Sequence, residues 1–579
     1  MSIAEKYKKN IFYKTFNKSR LIYFRILSFI QIKIIQIKPF LKFFPFFIKN
    51  GPKKTFKKIK RFLEENKKNK IKYKDWFKKN SPTEIELLEQ KEKSKKLKYK
   101  PKISIILPTY NTPINFLTEC IDSVINQTYP YWELCIADDN SKKIEVIELI
   151  KNYLKKDNRI KCVFRKENGH ICKSSNSALK ITTGDFIGLL DHDDLLLPNA
   201  LYETAILLNE DREIDFIYSD EDKLSEIEKK PTEPYLKNDW SIDKLFSFMY
   251  VGHFSVYKKE IIKKVNGFTI GTQGAQDYDL LLKSLKFIKN PKHLPQILYR
   301  WRKHPESTAM TLSAKPYAII AGAKVLQKRL KDYVDSNFKI KDTTFGFYYI
   351  SFKEIEKKSV DIFLNKNLLN SKTTKIIKEN LDKKINNIIY FDSIENLNDL
   401  IKKNNGKYLL ICNSNIFKID SKKELINFIG YSNTKNVGFV GPKILTKNNL
   451  INGSGLVYYK DKFRIIFNKN TDSVGYSNNL TTQSNTTAIT KDLFCIRRDV
   501  FEKEVKSFNE KLPNSYLIEA CVNSKENNIR TVFFPQLKIF ASKIRNLDLE
   551  NKEIGSRIKM DFYLNPKIKI NKYNQFLLK

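Results

Sequence analysis

The residues of this 579-residue chain that could do chemistry fall into three polar clusters, each directly after an apolar run. They read PTYN (108–111), DDNS (138–141) and DHDD (191–194). One acidic cluster in such a place is common, because Asp caps helices and turns. Two of them at the strand exits of one sheet favour a ligand site, and grouped carboxylates can bind a hard divalent cation.

The elements that would position these clusters alternate as in a parallel α/β sheet. The pattern predicts strands at 103–108, 132–138, 160–164 and 186–191, with helices at about 113–127, 142–155 and 174–182. Right-handed crossovers bring the carboxyl ends of parallel strands to one edge, where ligands bind. We therefore expect the three clusters to meet at one edge of a doubly wound sheet.

Residues 101–330 resemble glycosyltransferase family 2, the inverting GT-A group. The matching motifs are PKISIILPTYNTP, CIDSVINQTYPYWELCIADDNS, ENGHICKSSNSALKITTGDFIGLLDHDD, YSDEDK (218–223), NDWSIDKL (238–245), YVGHFSVYKKE (250–260), QDYDLLLKSL (276–285) and YRWRKHPEST (299–308). The resemblance implies a GT-A domain at 101–335, with a Rossmann-like, mostly parallel doubly wound sheet. It also implies a hexosyltransferase-type glycosyltransferase (EC 2.4) of the bacterial cell-surface polysaccharide kind, for O-antigen or capsule.

By this resemblance the strand exits form a metal-dependent donor site. The residues it assigns to the nucleotide sugar are Pro108, Tyr110, Asp139, Asn176, Asp191, Asp193 and Asp194, and those it assigns to Mn²⁺ or Mg²⁺ are Asp191, Asp193 and His304. A carboxylate at Asp139 would accept from a ring imide N–H, which favours UDP or dTDP donors. Asn176 is either a donor contact or a helix-turn residue.

Asp277, in the AQDYDL motif, matches the family's catalytic base. Inversion is one in-line displacement at the anomeric carbon, so it needs a single carboxylate to take the proton of the acceptor hydroxyl. No carboxylate nucleophile is required, unlike in retaining glycosidases. The residues expected near the acceptor are Glu221, Asp222, Trp240 and His253; the acidic pair is equally typical of a solvated turn, and Trp240 and His253 of packing.

Residues 340–579 resemble a degenerate second GT-A-like α/β domain. GKYLLICNSNIF (406–417) aligns without a gap with GDFIGLLDHDDL (184–195), LFCIRRDVF (493–501) resembles FSVYKKEII (254–262), and PNSYLIEAC (513–521) falls where AQDYDLLLK (275–283) should. Asn413 and Asn415 thereby replace the two acids of the D-x-D, and Ser515 replaces the base. Two amides do not neutralise a cation, so we expect a catalytically silent domain; the alternative is an unrelated α/β module.

Residues 1–100 are predicted to form a basic, amphipathic N-terminal helical extension and linker. Residues 6–63 contain seventeen Lys and Arg but no Asp or Glu, around a strongly apolar stretch at 21–48. This predicts contact with the anionic cytoplasmic face of a bacterial inner membrane, as a peripheral cytoplasmic protein; the alternative is a basic helical extension packed on the next domain. No signal peptide or transmembrane helix is expected, and seven scattered cysteines without C-x-x-C fit a reducing compartment.

The formal net charge of +42 would also suit nucleic acid. No nucleic-acid-binding motif occurs, however, and the acidic clusters are what such a protein avoids, so we expect no nucleic-acid partner. The leading expectation is an inverting, metal-dependent glycosyltransferase that moves a sugar from a nucleotide-diphosphate donor to a growing glycan or lipid-linked oligosaccharide. The alternative is a non-catalytic, glycan-binding scaffold protein.

Overall fold

The computed structural model divides the chain into two compact units. It describes residues 73–225, 230–303, 316–342, 346–368, 371–448, 450–453, 455–465 and 481–542, and short pieces at 554–555, 557–558, 563, 565–570 and 576–578. The first unit holds the described residues up to Tyr235, Gly252–Val325 and Gly346. The second holds Leu236–Val251, Leu326–Asp342 and the described residues from Phe347 onward. The predicted membrane segment 6–63 and the predicted ligand His304 lie outside the described residues.

Both units contain helices and strands, which are numbered here in chain order. Helices α1 to α15 span 73–80, Glu84–Lys95, Ile114–Ile125, Ile144–Lys156, His170–Lys180, Ala200–Glu210, Ile242–Leu245, Lys259–Lys264, Gln276–Ser284, Pro316–Arg329, Ser371–Leu381, Ile394–Lys403, Lys422–Gly430, Arg498–Val500 and Tyr516–Glu526. Strands β1 to β12 span Ile103–Thr109, Trp132–Asp138, Ile160–Phe164, Phe186–Leu189, Leu195–Leu196, Phe216–Ser225, Lys230–Tyr235, Ser255–Lys258, Pro291–Lys303, Phe338–Asp342, Tyr348–Phe352 and Val360–Asn365. Strands β13 to β25 span Ile385–Phe391, Tyr408–Cys412, Ile416–Ile419, Val437–Leu445, Ile451–Gly453, Gly455–Tyr458, Phe463–Ile465, Ser484–Asn485, Ala488–Ile489, Leu493–Arg497, Arg530–Ala541, Ile568–Ile570 and Phe576–Leu578.

The first unit is built on one sheet with the strand order β3-β2-β1-β4-β8-β6-β9-β5 and with β7 paired to β6. Strands β1 to β4 run parallel, as predicted. The expectation of a mostly parallel sheet is wrong for the other half, because β8 runs antiparallel to both β4 and β6. A parallel neighbour needs a crossover connection, and the strict alternation of strands and helices ends after α6. The sheet is therefore mixed.

The apolar runs of β1, β2 and β4 are buried on both faces, whereas β3 is only partly buried. Every residue of β1 and β2 is buried, as expected for strands covered by helices on both sides. Helix α3 contributes Leu117, Cys120, Ile121 and Val124, which lie one and two turns apart and line its buried face. This core places the ends of β1, β2 and β4, with their polar clusters, at one edge of the sheet.

The second unit repeats this topology. Its sheet has the order β13-β12-β14-β22-β16-β23-β15, with β17 paired to β16. The strands β13, β12, β14, β22, β16, β23 and β15 stand where β2, β1, β4, β8, β6, β9 and β5 stand in the first sheet, with the same relative directions. The second unit therefore contains a second α/β sheet in which seven strands follow the order of the first; among its described residues β3 has no counterpart, and β20 pairs with β23.

One contact recurs at equivalent positions of the two sheets. The amide of Gly184, just before β4, donates to Ser104 Oγ on β1 over 2.9 Å. The amide of Gly406, just before β14, donates to Asp361 Oδ2 on β12 over 2.6 Å. A Cβ at either glycine would lie about 2.5 Å from these neighbours. Both strands thus enter their sheets through the same close approach, which only glycine allows.

No helix among the described residues is long and apolar enough to cross a membrane. All seven cysteines lie within the described residues and are free thiols.

Candidate active site

The acidic turn after β4 is held by side chains and backbone of β9. Tyr299 donates its hydroxyl to Asp194 Oδ2 over 2.6 Å and accepts from the Asp191 amide over 3.3 Å. The Arg302 backbone amide donates to Asp194 Oδ1 over 2.8 Å, and the Arg302 side chain donates through Nε to the Asp193 carbonyl over 2.6 Å. Asp194 is completely buried, so it shapes the turn and leaves Asp191 and Asp193 to face a ligand.

Negative charge is concentrated in this turn. Burial, together with the carboxylates of Asp193 and Asp191, raises the pKa of Asp194 well above its usual range. The side chains of Asp191 and Asp193 are 36% and 18% exposed, so their oxygens can reach a cation. Oxygen donors and unbalanced negative charge fit Mg²⁺ or Mn²⁺. Within the described part of the chain, no three His, Cys, Asp or Glu side chains are grouped so that they could hold a metal ion by themselves.

The predicted base lies next to the acidic turn. Asp277 is in the first turn of α9, and its Oδ2 is 3.7 Å from His253 Nε2. The same nitrogen is 3.6 Å from Asp191 Oδ2. The His253 ring stacks on Tyr299, with centroids 5.0 Å apart. His253, which was predicted near the acceptor, thus lies between the D-x-D turn and Asp277.

The surroundings of Asp277 change its acidity. Burial raises the pKa of this carboxyl to about 6, His253 opposes the shift, and the Asp191 carboxylate adds to it. A quarter of the side chain remains exposed. The carboxyl is therefore accessible, and it ionises close to neutral pH, as a general base should.

Asp139, directly after β2, accepts hydrogen bonds from other groups of the protein. Its Oδ1 accepts from Arg165 Nε over 2.7 Å, and both oxygens accept from the Gly169 amide over 3.0 Å. Pro108 is buried in β1, whereas Tyr110 is 41% exposed. The structure therefore places Asp139 and Tyr110 after adjacent strands, and it adds Arg165, which no local sequence signal identifies.

Two predicted residues have other partners in the structure. The Asn176 side chain makes two hydrogen bonds to the Phe268 backbone. Asn176 Oδ1 accepts from the Phe268 amide over 2.8 Å, and Asn176 Nδ2 donates to the Phe268 carbonyl over 2.9 Å. Asp222 is fully buried in β6. It accepts from Arg300 over 2.9 and 3.0 Å and from the Tyr73 hydroxyl over 2.8 Å. Both side chains are thus accounted for without a substrate.

The remaining acceptor candidates are Glu221 and Trp240. Glu221 is nearly buried in β6, so the acidic run is a strand and not a solvated turn. Trp240 belongs to the second unit. Tyr299 and Arg302, which hold the acidic turn, belong to the same motif YRWRKHPEST as His304. Residues three apart on a strand face opposite sides of the sheet, so no spacing signal in the sequence identifies them.

At the equivalent edge of the second sheet, the polar side chains are hydrogen-bonded to other protein groups. Asn413 Nδ2 donates to the Lys491 carbonyl over 2.9 Å and to the Tyr516 hydroxyl over 3.2 Å. Ser414 donates to Asp492 Oδ1 over 2.8 Å. Burial raises the pKa of Asp492 to about 6. Ser515, at the position of the base, is also buried.

Comparisons with known proteins identify similar sequences. The family model "Glycosyl transferase family 2" matches residues 104–265. The O-antigen biosynthesis protein RfbC of Myxococcus xanthus is 31% identical over 235 residues, which are 41% of this chain and 18% of that protein. The uncharacterized glycosyltransferase RT0329 of Rickettsia typhi is 32% identical over 37% of this chain and 67% of that protein. The chain thus spans about a fifth of RfbC and two thirds of RT0329.

Among solved structures, Staphylococcus aureus TarS in complex with UDP-GlcNAc is similar over 40% of this chain and 73% of that chain, with a TM-score of 0.32 and 18% identity. Those values are too low to carry over a ligand. The family match and the extent of the RT0329 relative show that this chain belongs to glycosyltransferase family 2.

Proposed function

We propose that the protein is a metal-dependent, inverting transferase that moves a sugar from a nucleotide-diphosphate donor to a surface glycan. One observation carries this proposal. Asp191 of the D-x-D turn and Asp277 lie 3.6 and 3.7 Å from the same nitrogen of His253. A carboxylate suited to a cation and a carboxylate suited to proton transfer therefore flank one imidazole, which supports a single displacement.

Asp191 and Asp193 are the residues that would hold Mg²⁺ or Mn²⁺ together with the donor diphosphate. When bound, the cation offsets the charge that develops on the departing nucleotide diphosphate. Tyr299 and Arg302 keep the turn rigid by binding Asp194 and the Asp193 carbonyl. The two exposed carboxylates are therefore held in place before the donor arrives.

Asp277 is the group that takes the proton. The acceptor oxygen forms its bond to the anomeric carbon while the bond from that carbon to the diphosphate oxygen breaks, and the hydroxyl proton passes to the Asp277 carboxylate. With a pKa of about 6, Asp277 is mostly ionised at pH 7 and still basic enough to assist. Asp191 follows β4 and Asp277 lies in α9, so the proposed metal ligand and the proposed base belong to different elements.

The nucleobase would lie against Asp139 and Tyr110. Arg165 and the Gly169 amide hold the Asp139 carboxylate in one orientation. Its remaining lone pairs suit the imide N–H of uracil or thymine, which supports a UDP or dTDP donor. Cytosine lacks that donor group at the equivalent ring position.

The acceptor is proposed to be a glycan under construction at the membrane. RfbC is named for O-antigen biosynthesis, which supports a surface polysaccharide as product. The basic residues 6–63 would hold the enzyme at the cytoplasmic face, close to a lipid-linked oligosaccharide. The second unit, with Asn413 and Ser515 in place of the acids, would be catalytically silent.

A thermal-shift panel tests the proposal. The full-length protein is mixed with UDP, dTDP, GDP or CMP, each with and without Mn²⁺, beside the variants Asp193→Asn and, as a matched control, Asp211→Asn at the end of α6. A ligand that binds only the folded state raises the melting temperature. We expect a Mn²⁺-dependent rise with UDP or dTDP that Asp193→Asn abolishes and Asp211→Asn keeps. No rise with any nucleotide would favour the glycan-binding scaffold instead.

A further inference from the structure

A cavity of about 510 Å³ opens in the second unit. Its volume is within the range of about 300–1,000 Å³ that small-molecule sites occupy. The residues that line it are Asp335, Lys407, Asn433, Arg497, Arg498, Asp499 and Glu502, and all of them belong to the second unit. The cavity can therefore be described within that unit alone.

The cavity lies at the edge of the second sheet opposite to Asn413. Lys407 directly precedes β14, whereas Asn413 directly follows it. Arg497 ends β22, which runs antiparallel to β14 and pairs there with its first residue, Tyr408. The cavity is therefore separate from the edge that corresponds to the donor site of the first sheet.

The lining is polar throughout and carries equal numbers of opposite charges. Three of its side chains are cations, three are carboxylates, and the remaining one is the amide of Asn433. Arg497 Nε donates to Asp499 Oδ1 over 2.5 Å, and Arg498 Nη1 donates to Glu502 Oε1 over 3.4 Å. Because paired opposite charges largely cancel beyond their own contact, the lining favours neither an anion nor a cation.

One guanidinium of the lining is held in place by the protein. The Arg498 side chain is mostly buried and donates to Asp361 Oδ2 over 3.0 Å. Its guanidinium also donates to the carbonyls of Gly406 and Ile401, over 2.7 Å each. These bonds fix the group before a ligand arrives, which lowers the entropic cost of binding.

The other guanidinium keeps unused donors. The Arg497 side chain is 18% exposed, and the only acceptor that it reaches among the described residues is Asp499, through Nε. Both terminal nitrogens of Arg497 therefore remain available to a ligand in the cavity. Asp335 adds an available carboxylate, since its ion pair with Lys435 is 3.8 Å long and exceeds hydrogen-bond range.

A ligand that fits this lining is uncharged and presents donors and acceptors on neighbouring atoms. Each hydroxyl of a sugar both donates and accepts. Neighbouring hydroxyls of one ring can therefore bind the Arg497 guanidinium and the Asp499 carboxylate, which lie side by side. A single ammonium or carboxylate group would instead face a charge of its own sign beside each charge of the opposite sign, and it would gain little.

We infer that this cavity is a binding site for a neutral saccharide, with Arg497 and Asp499 as its principal contacts. The inference goes beyond the proposed function and does not depend on it, because binding here requires no donor, no metal and no contribution from Asp277. It gives the domain that is expected to be catalytically silent a ligand of its own.

The test measures the binding of small solutes to the full-length protein in EDTA and without nucleotide. The neutral probes are glucose, galactose, N-acetylglucosamine and rhamnose, and the charged probes are glucuronate, inorganic phosphate and the zwitterion glycine. Saturation-transfer NMR followed by titration gives a dissociation constant for each probe. We expect at least one neutral sugar to bind more tightly than every charged probe.

Two variants locate the bound sugar. Arg497→Gln removes the guanidinium and should weaken sugar binding at least about tenfold, because hydrogen bonds to charged groups are the stronger ones. Asp499→Asn keeps the shape of the side chain and should weaken binding at least about threefold. Since Asp499 is 66% exposed, this variant decides the question if Arg497→Gln does not fold.

The matched control is Arg557→Gln, which removes another arginine of the second unit. Arg557 pairs with Glu526 and lies outside the lining of the cavity, so the dissociation constant should change less than about twofold. Asp277→Asn should likewise bind the sugar as wild type does.

The inference would be overturned if no neutral sugar bound, if a charged probe bound more tightly than every neutral sugar, or if Arg497→Gln and Asp499→Asn bound as wild type does. Sugar binding that is lost in Asp277→Asn and kept in Arg497→Gln would lie in the first unit and would also overturn it. Failure of the nucleotide panel would leave the saccharide result standing, so the two proposals can fail separately.

Discussion

Replacing Asp277 by Asn is expected to abolish sugar transfer and to leave donor binding nearly intact. The amide cannot take the proton of the acceptor hydroxyl, and positioned general bases contribute about 10²–10⁴ in rate. Asp277 lies 3.7 Å from His253 and makes a hydrogen bond to Gln276, contacts that a neutral amide of the same shape can largely keep. Donor binding depends instead on Asp191 and Asp193.

The same carboxyl sets the pH dependence of the wild type. Burial places the pKa of Asp277 at about 6, and the base must be ionised. About 9% of it is ionised at pH 5 and about 91% at pH 7, so kcat/KM should rise about tenfold over this interval and then level off. A carboxyl with the ordinary value near 4 would give a nearly flat profile over the same range.

The assay is nucleotide release with the donor and Mn²⁺ at concentrations below KM, from pH 5 to 8. Asp279→Asn serves as the matched control, because it removes the same charge two residues further along α9. Its profile should keep the wild-type shape. A flat wild-type profile, or more than a tenth of wild-type transfer in Asp277→Asn, would refute Asp277 as the base. Loss of donor binding in Asp277→Asn would place the residue in the donor site.

Three further outcomes are expected. Burial raises the pKa of Asp492 to about 6 in the folded protein, so ionisation costs stability as pH rises from about 4 to 6. Urea unfolding should show Asp492→Asn gaining about 2 kcal/mol relative to wild type over that interval, and a constant difference would contradict it. Tyr73→Phe loses a buried hydrogen bond to Asp222 and should lower the unfolding free energy by about 1.5–3 kcal/mol, read by chemical denaturation, without changing nucleotide binding. Deleting residues 1–63 should release the protein from anionic liposomes at physiological salt; continued co-sedimentation would rule out that segment as the membrane contact.

The parallel half of the first sheet could be predicted because its signals are local. The runs that form β1 to β4 are apolar and short, and helical stretches separate them. The acidic strand β6 could not be predicted in this way. Its Asp220 and Asp222 are buried against His293 and Arg300, which lie 73 and 78 residues further on. A polar strand is recognisable only when its distant partners are known.

The residues of the candidate site could likewise be predicted only in part. Family resemblance indicated the positions of Asp191, Asp193 and Asp277, and the structure brings Asp191 and Asp277 to His253. The resemblance gave no sign that Asn176 would bind the Phe268 backbone. Motifs identify which residues occur together, whereas hydrogen-bond partners depend on side-chain geometry that only the folded chain defines.

The two sheets share a strand order although their strand exits differ, because order and exits depend on different residues. The strand order rests on buried apolar runs and on the approach of Gly184 to Ser104 and of Gly406 to Asp361. Asp191 and Asp193 follow β4, whereas Asn413 and Asn415 follow β14, and none of the four takes part in those contacts. The acids at a strand exit can therefore differ between two sheets of the same order, so a shared fold is no evidence for a second active site.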